Sequence, residues 1–236
     1  MKINKNYLEK FVKKASLLSS IPTINMNFTE TGLESAITSA SKMALTITHL
    51  DKEKFTDYSP IGEIFIKNTN YLLKVIKGYD DEIELEKMGE YTLKLSDKTD
   101  EDFIILGADI ACDNIHKKGP LDIKTTAKVV LNKSDLVKPV KAMIDLSCPF
   151  VTLVLKDDKF KFKIGNKDET DTANRSILDA PKEGEGKVKV GEYFIKTYGV
   201  LEGKATFEFG TEMPLLVTEE TDGIQFKCYI APNIGK

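Results

Sequence analysis

Arginine is almost missing from this sequence: Arg175 stands alone among 34 Lys and Arg residues. The guanidinium fork reads guanine edges and grips carboxylates in two places, whereas lysine is a hydrated point charge. The chain is thus poorly equipped for base readout but well supplied for phosphate contact, although a coding bias towards lysine would leave the same composition. There are only 2 histidines, His49 and His116. Neither belongs to a triad-like or metal-spaced set, and the glycine-rich patterns G-x-x-x-x-G-K-[ST] and G-x-G-x-x-G do not occur. No catalytic residue, metal ligand or cofactor is expected, and the chain does not read as an enzyme. The 3 cysteines, Cys112, Cys148 and Cys228, are far apart and form no C-x-x-C, so they read as free thiols rather than a disulfide framework or zinc site. No apolar run approaches the roughly 18–20 residues of a membrane span. The opening MKINKNYLEKFVKKASLL lacks the apolar core of a signal peptide. The expectation is an intracellular protein with no membrane partner, cytoplasmic in an archaeal or viral system and nuclear in a eukaryotic one.

What is present suits a packed α+β protein. Hydrophobic residues make up 41% of 236 residues and charged ones 30%, enough for one large core or two of ordinary size. The net charge of -3 opposes a nucleic-acid partner only if charge is spread evenly; the local field of a face decides contact.

Two kinds of segment recur. The first is a lysine-bearing amphipathic helix followed by a hairpin. Residues 7–18 set Leu8, Phe11, Val12, Ala15 and Leu18 on one stripe, with Lys10, Lys13 and Lys14 opposite. A strand, a turn at Thr31-Gly32 and a strand follow. In the second half, residues 135–144 follow an N-cap at Ser134 and set Leu136, Val140 and Met143 against Lys138 and Lys141. A hairpin turning at Asp157-Asp158-Lys159 comes next. Pro139, one turn inside this helix, implies either a later start or a distortion. The second kind is a strand, a short helix and a meander. A helix near 69–77 buries Leu72, Val75 and Ile76 and presents Lys74 and Lys77. Its counterpart buries Phe194, Tyr198 and Leu201 and presents Lys196, with a last hairpin at Asp222-Gly223.

Leu8 and Leu136 are 128 residues apart, and Lys74 and Lys196 are 122 apart. A near-constant offset is the mark of tandem duplication. The reading is a domain over 1–108, a connector over 109–124 marked by Gly119-Pro120, and a like domain over 125–236. Four helices of the same polarity give eight outward lysines, while acidic residues cluster in loops. Each helix alone would pass for a solvated surface helix. Together they form what a protein needs to hold a phosphate backbone without sequence preference.

The C-terminal segment MPLLVTEETDGIQFKCYIAPNI resembles the end of the DNA sliding clamps of the proliferating cell nuclear antigen family, Tyr229-Ile230-Ala231-Pro232 most specifically. ETGLESAITSASKMALTITHL, FIKNTNYLLKVIKG and KVVLNKSDLVKPVKAMIDLS are similar to other parts of that family, in the same order. The resemblance implies two tandem clamp domains per subunit, closed into a trimeric ring whose helices line a channel around double-stranded DNA. It places Lys10, Lys13, Lys14, Lys74, Lys77, Lys138, Lys141 and Lys196 towards the duplex. It implies pairing of edge strands between subunits through Phe103 and Ile105 on one side and Arg175 and Ile177 on the other. It implies a pocket beneath the connector for DNA polymerase and other proteins carrying a clamp-binding motif, made by Met43, Ile110, Ile115, Leu121, Pro214, Tyr229, Ala231 and Pro232. A separate clamp loader would open the ring. The sequence departs from the family at Ser39-Ala40-Ser41-Lys42, and at His116-Lys117-Lys118 in a longer connector. These departures leave open one subunit of a heterotrimeric or checkpoint-type clamp. A structural β-sandwich with no DNA role is the other alternative, and the repeated lysine-faced helices oppose it.

Overall fold

A computed structural model describes residues 1–90, 92–97, 103–107, 120–165, 173–177 and 179–234. The chain divides into two compact units, one of Met1–Ala40, Leu45–Gly119 and Asp222–Phe226, the other of Ser41–Ala44, Pro120–Thr221 and Lys227–Lys236.

In the first unit the order is β1 (Lys2–Asn4), α1 (Lys5–Ser16), β2 (Ile24–Phe28), β3 (Gly32–Thr38), β4 (Ala44–Asp51), β5 (Phe55–Thr56), β6 (Gly62–Ile66), α2 (Thr69–Gly78), β7 (Glu82–Met88), β8 (Thr92–Ser96) and β9 (Phe103–Leu106). The second half of the chain repeats it with β10 (Ala127–Asn132), α3 (Lys133–Asp145), β11 (Val151–Lys156), β12 (Lys159–Ile164), β13 (Ala173–Ile177), β14 (Lys182–Gly184), β15 (Gly186–Val190), α4 (Tyr193–Val200), β16 (Lys204–Phe209), β17 (Leu215–Thr221) and β18 (Ile224–Ile230), the start of β18 belonging to the first unit. The strand orders correspond one to one: β5-β1-β7-β8-β9 matches β14-β10-β16-β17-β18, and β4-β3-β2-β6 matches β13-β12-β11-β15. The pairings β1–β7, β7–β8, β8–β9, β10–β16, β16–β17, β2–β3, β3–β4, β2–β6, β11–β12, β12–β13 and β11–β15 are antiparallel. The α+β duplication expected from the offsets is thus a duplication of topology.

Local chemistry explains the boundaries. Asn4 caps α1 by accepting the Asn6 N–H at 2.9 Å. The helix ends at Leu17, which adopts φ 47 so that its N–H reaches back to the carbonyls of Lys13 and Lys14. Helix α3 starts earlier than Ser134 would place it. Asn132 is the cap, and Asp135 returns the bond by accepting the Asn132 N–H at 2.8 Å, a reciprocal capping box. Pro139 lies inside α3, buried, so the helix neither starts after it nor stops before it. The two-residue turns Asp157-Asp158 (φ 50 and 56) and Asp222-Gly223 (φ 54 and 77) have the left-handed backbone that matches strand twist in tight hairpins.

Each unit packs its helix pair, α1 on α2 and α3 on α4, against its sheets. Leu8, Phe11, Val12 and Ala15 of α1 are fully buried, as are Phe160, Phe162 and Phe207 of the second unit. Phe194 of α4 lies 6.0 Å from Phe162 and 6.4 Å from Phe207, ring centre to ring centre, closing that core.

Candidate functional site

The helix lysines divide into three groups. Lys74, Lys138, Lys141 and Lys196 are exposed. Lys10, Lys13 and Lys77 point outward but have acidic partners in their own unit: Lys10 lies 3.0 Å from Asp222, and Glu9 lies 2.7 Å from Lys13 and 3.9 Å from Lys77. Such exposed pairs contribute about 0–1 kcal/mol each, so a phosphate can displace them. Lys14 differs from the outward position expected of it. It is 1% exposed, with its ammonium 5.4 Å from the centre of the Phe226 ring. On the helical wheel residue 14 lies beside Phe11 rather than opposite it, and its methylene stem joins the core. Lys14 is therefore withdrawn from the DNA-facing set.

A second group gathers around the chain's end, within the second unit. Tyr229, on β18, is 4% exposed. Burial raises the pKa of its phenol; a hydrogen bond with the Leu121 backbone offsets part of this, and the charge of Glu208 adds to it. Ala231 donates its N–H to the Met43 carbonyl at 2.9 Å, and Asn233 donates to Lys189 at 2.7 Å. Pro232 bridges to Val190 between these bonds. In the same unit, apolar surface is left in water: Leu121 is 39% exposed, Met213 39% and Ile234 68%. Met213 folds back on Gly210, where an added Cβ would come 3.4 Å from its Cγ and 3.3 Å from the Lys124 carbonyl.

No protein-family model matches the sequence, and no curated protein matches it. Solved structures do. The chain is similar to A. fulgidus PCNA in a structure with the C-terminal region of FEN-1 bound, at TM-score 0.81 and 20% identity over 100% of this chain and 98% of that one. Against PCNA from Thermococcus kodakaraensis the values are 0.80 and 21% over 98% and 99%. Against proliferating cellular nuclear antigen from Entamoeba histolytica they are 0.80 and 14% over 99% and 98%.

The chain has the sliding-clamp fold.

Within that fold the expected residues fall as follows. Met43, Leu121, Pro214, Tyr229, Ala231 and Pro232 all belong to the second unit, and the bonds above tie Tyr229 to Leu121 and Ala231 to Met43. Ile110 and Ile115 lie outside the described residues. Met213 and Ile234 were not among the residues singled out from sequence; their signal was apolar character next to Pro214 and Pro232. Phe103 and Ile105 sit on β9, and Arg175 and Ile177 on β13; both strands end their sheets. Edge strands of this kind leave a row of backbone donors and acceptors unpaired. Among the described residues no group of three or more His, Cys, Asp or Glu is placed to hold a metal ion, and no helix is long and apolar enough to cross a membrane.

Proposed function

We propose that this chain is a subunit of a ring-shaped sliding clamp, a non-catalytic processivity factor that encloses duplex DNA and tethers replication and repair proteins to it. One observation carries the reading. The duplicated sliding-clamp fold spans the whole chain and gives each unit a helix pair that carries exposed lysines, Lys74 and Lys77 on α2 in one and Lys138 and Lys141 on α3 with Lys196 on α4 in the other. Point-charge contacts to phosphate without base readout permit movement along DNA, and enclosure rather than tight binding keeps the protein there.

The edge strands β9 and β13 would pair between subunits. The apolar group around Tyr229 would take a partner peptide, of the kind represented by the FEN-1 segment on A. fulgidus PCNA. A tyrosine with buried ring and a hydroxyl bonded to the Leu121 backbone, in a unit that also exposes Leu121, Met213 and Ile234, has the composition of an anchor pocket. ATP-driven opening would belong to a separate loader. Light scattering is the direct test: a mass of about three chains, alone or with sister subunits, is expected. A protein that stays monomeric beside its replication partners sinks the reading.

A further inference from the structure

The sheet β13-β12-β11-β15 buries Phe160, Phe162, Val151, Leu153, Leu155, Val188 and Val190 on one face, where α3 packs and Phe194 of α4 meets Phe162. Strand alternation sends every second residue to the other face, and the register shows which they are. Lys161 and Lys187 both oppose Val154, and Lys163 and Lys189 both oppose Thr152. Lys156 faces Lys159 across the hairpin, and Ser176 and Asn174 extend the same rows on β13. Six lysines therefore stand on one face, five in two files flanking Val154 and Thr152 and Lys156 on the central strand with them, with successive rows about 7 Å apart along the strands. None has an acidic partner among the described residues, and no acidic residue occupies a paired position on that face.

The duplicated sheet of the first unit is the internal control. Its outward positions include Asn25, Asn27, Glu34, Glu63, Ala36 and His49, and no lysine. A coding bias towards lysine would act on both copies, so it does not explain six lysines on one and none on the other. Lys156 and Lys159 are directly opposed across the hairpin, and like charges so placed destabilise a sheet. A face that tolerates them calls for a polyanion.

We propose that the outward face of the β13-β12-β11-β15 sheet is a second nucleic-acid surface, which takes a phosphate backbone without sequence preference. Lysine is the point-charge phosphate ligand, and the hydroxyls and amide of Thr152, Ser176 and Asn174 are the neutral groups that accompany it in backbone contacts. A protein partner fits less well, because protein interfaces are depleted in lysine, and Phe150, the aromatic beside this face, already lies 4.6 Å beneath the Lys189 ammonium. An anionic membrane fits less well too, since among the described residues the paired outward positions offer only Val154 for insertion. The lysines lie opposite the helices, so this surface is distinct from the helical one and does not depend on ring closure.

The test uses the full chain and a fluorescent linear duplex, with a single strand of the same sequence, titrated by anisotropy across salt concentrations. Lys161→Gln/Lys163→Gln/Lys187→Gln/Lys189→Gln should weaken binding at least tenfold at low salt. It should also flatten the log–log salt slope by about 0.9 per lost duplex contact. The corresponding four Lys→Arg changes should restore both. If the quadruple variant fails to fold, the exposed pair Lys163→Gln/Lys187→Gln should give about half the slope change. A shift under twofold in a folded variant overturns the proposal. So does loss of binding to polyglutamate or to phosphatidylserine vesicles while nucleic-acid binding is unaltered. Particle mass and retention on closed circular duplex report on the clamp reading, and both should survive in the sheet variant. Failure there is thus separable from failure here.

Discussion

Ala231 and Met43 are joined backbone to backbone, the Ala231 N–H donating to the Met43 carbonyl at 2.9 Å. This bond holds the start of the C-terminal tail beside Tyr229 and leaves Ile234 in water. Tyr229→Phe keeps the ring and should cost about 1 kcal/mol, the net worth of one hydrogen bond. Tyr229→Ala removes the anchor. It should weaken a clamp-binding peptide by tenfold or more in titration calorimetry, with Ile234→Ala losing less and leaving the urea midpoint unchanged. Unaltered calorimetry for Tyr229→Ala would move the pocket elsewhere.

Lys14 and Lys141 should respond oppositely to truncation. Lys14→Ala removes a buried stem and is expected to cost about 1–3 kcal/mol in urea denaturation while retention on DNA is kept. Lys138→Ala/Lys141→Ala/Lys196→Ala, all exposed, should leave the urea midpoint within about 0.5 kcal/mol of wild type while impairing retention and polymerase processivity. Wild-type processivity in the triple variant would remove α3 and α4 from the DNA contact.

Cys228 is fully buried, and its thiol is pushed up to about 12 by burial, the hydrogen bond with Thr197 opposing this in part. The folded chain then keeps a proton that the unfolded chain releases from about pH 9 upward. This group therefore lowers stability as pH rises from about 9 to about 12, by up to roughly 1.4 kcal/mol per pH unit. Denaturant midpoints should fall less steeply with pH in Cys228→Ala than in wild type over this window. In the native state at pH 8, iodoacetamide should leave Cys228 unmodified, as mass spectrometry of tryptic peptides will show.

Gly184 has φ +75, and an added Cβ would lie 2.0 Å from the Thr126 carbonyl oxygen, which the Glu185 N–H also uses. Gly184→Ala combines left-handed strain with a backbone clash and should cost more than about 2 kcal/mol. Gly203→Ala meets no atom within 4 Å, so its denaturation midpoint should stay near that of wild type.

Much of the fold was legible because its signals are local. Helical spacing in 7–16 and 69–77, alternation in β11 and β12, and the Asp157-Asp158 and Asp222-Gly223 turns are set by neighbours a few residues away. Leu18, expected on the first stripe, instead lies past the end of α1 and is 43% exposed. The near-constant offset between copies marks the duplication without any knowledge of strand order. Helix starts were less legible, since Ser134 and Asn132 are both good caps and only the reciprocal bond with Asp135 chose between them. The lysine-faced helices could be read; which lysines face water could not be read in full. Lys14 sits at the margin of its stripe, and Phe226, distant in sequence, decides that its stem is covered. Met43 and Tyr229, apart from the family resemblance, read as ordinary core or turn residues, and bonds between distant segments, Ala231 to Met43 and Tyr229 to Leu121, tie them to the tail and the connector. The lysines of β12 and β15 were visible as letters, but only strand register put them on a single face. Periodicity is thus written in the chain, whereas burial, pairing and convergence depend on what the fold lays against each residue.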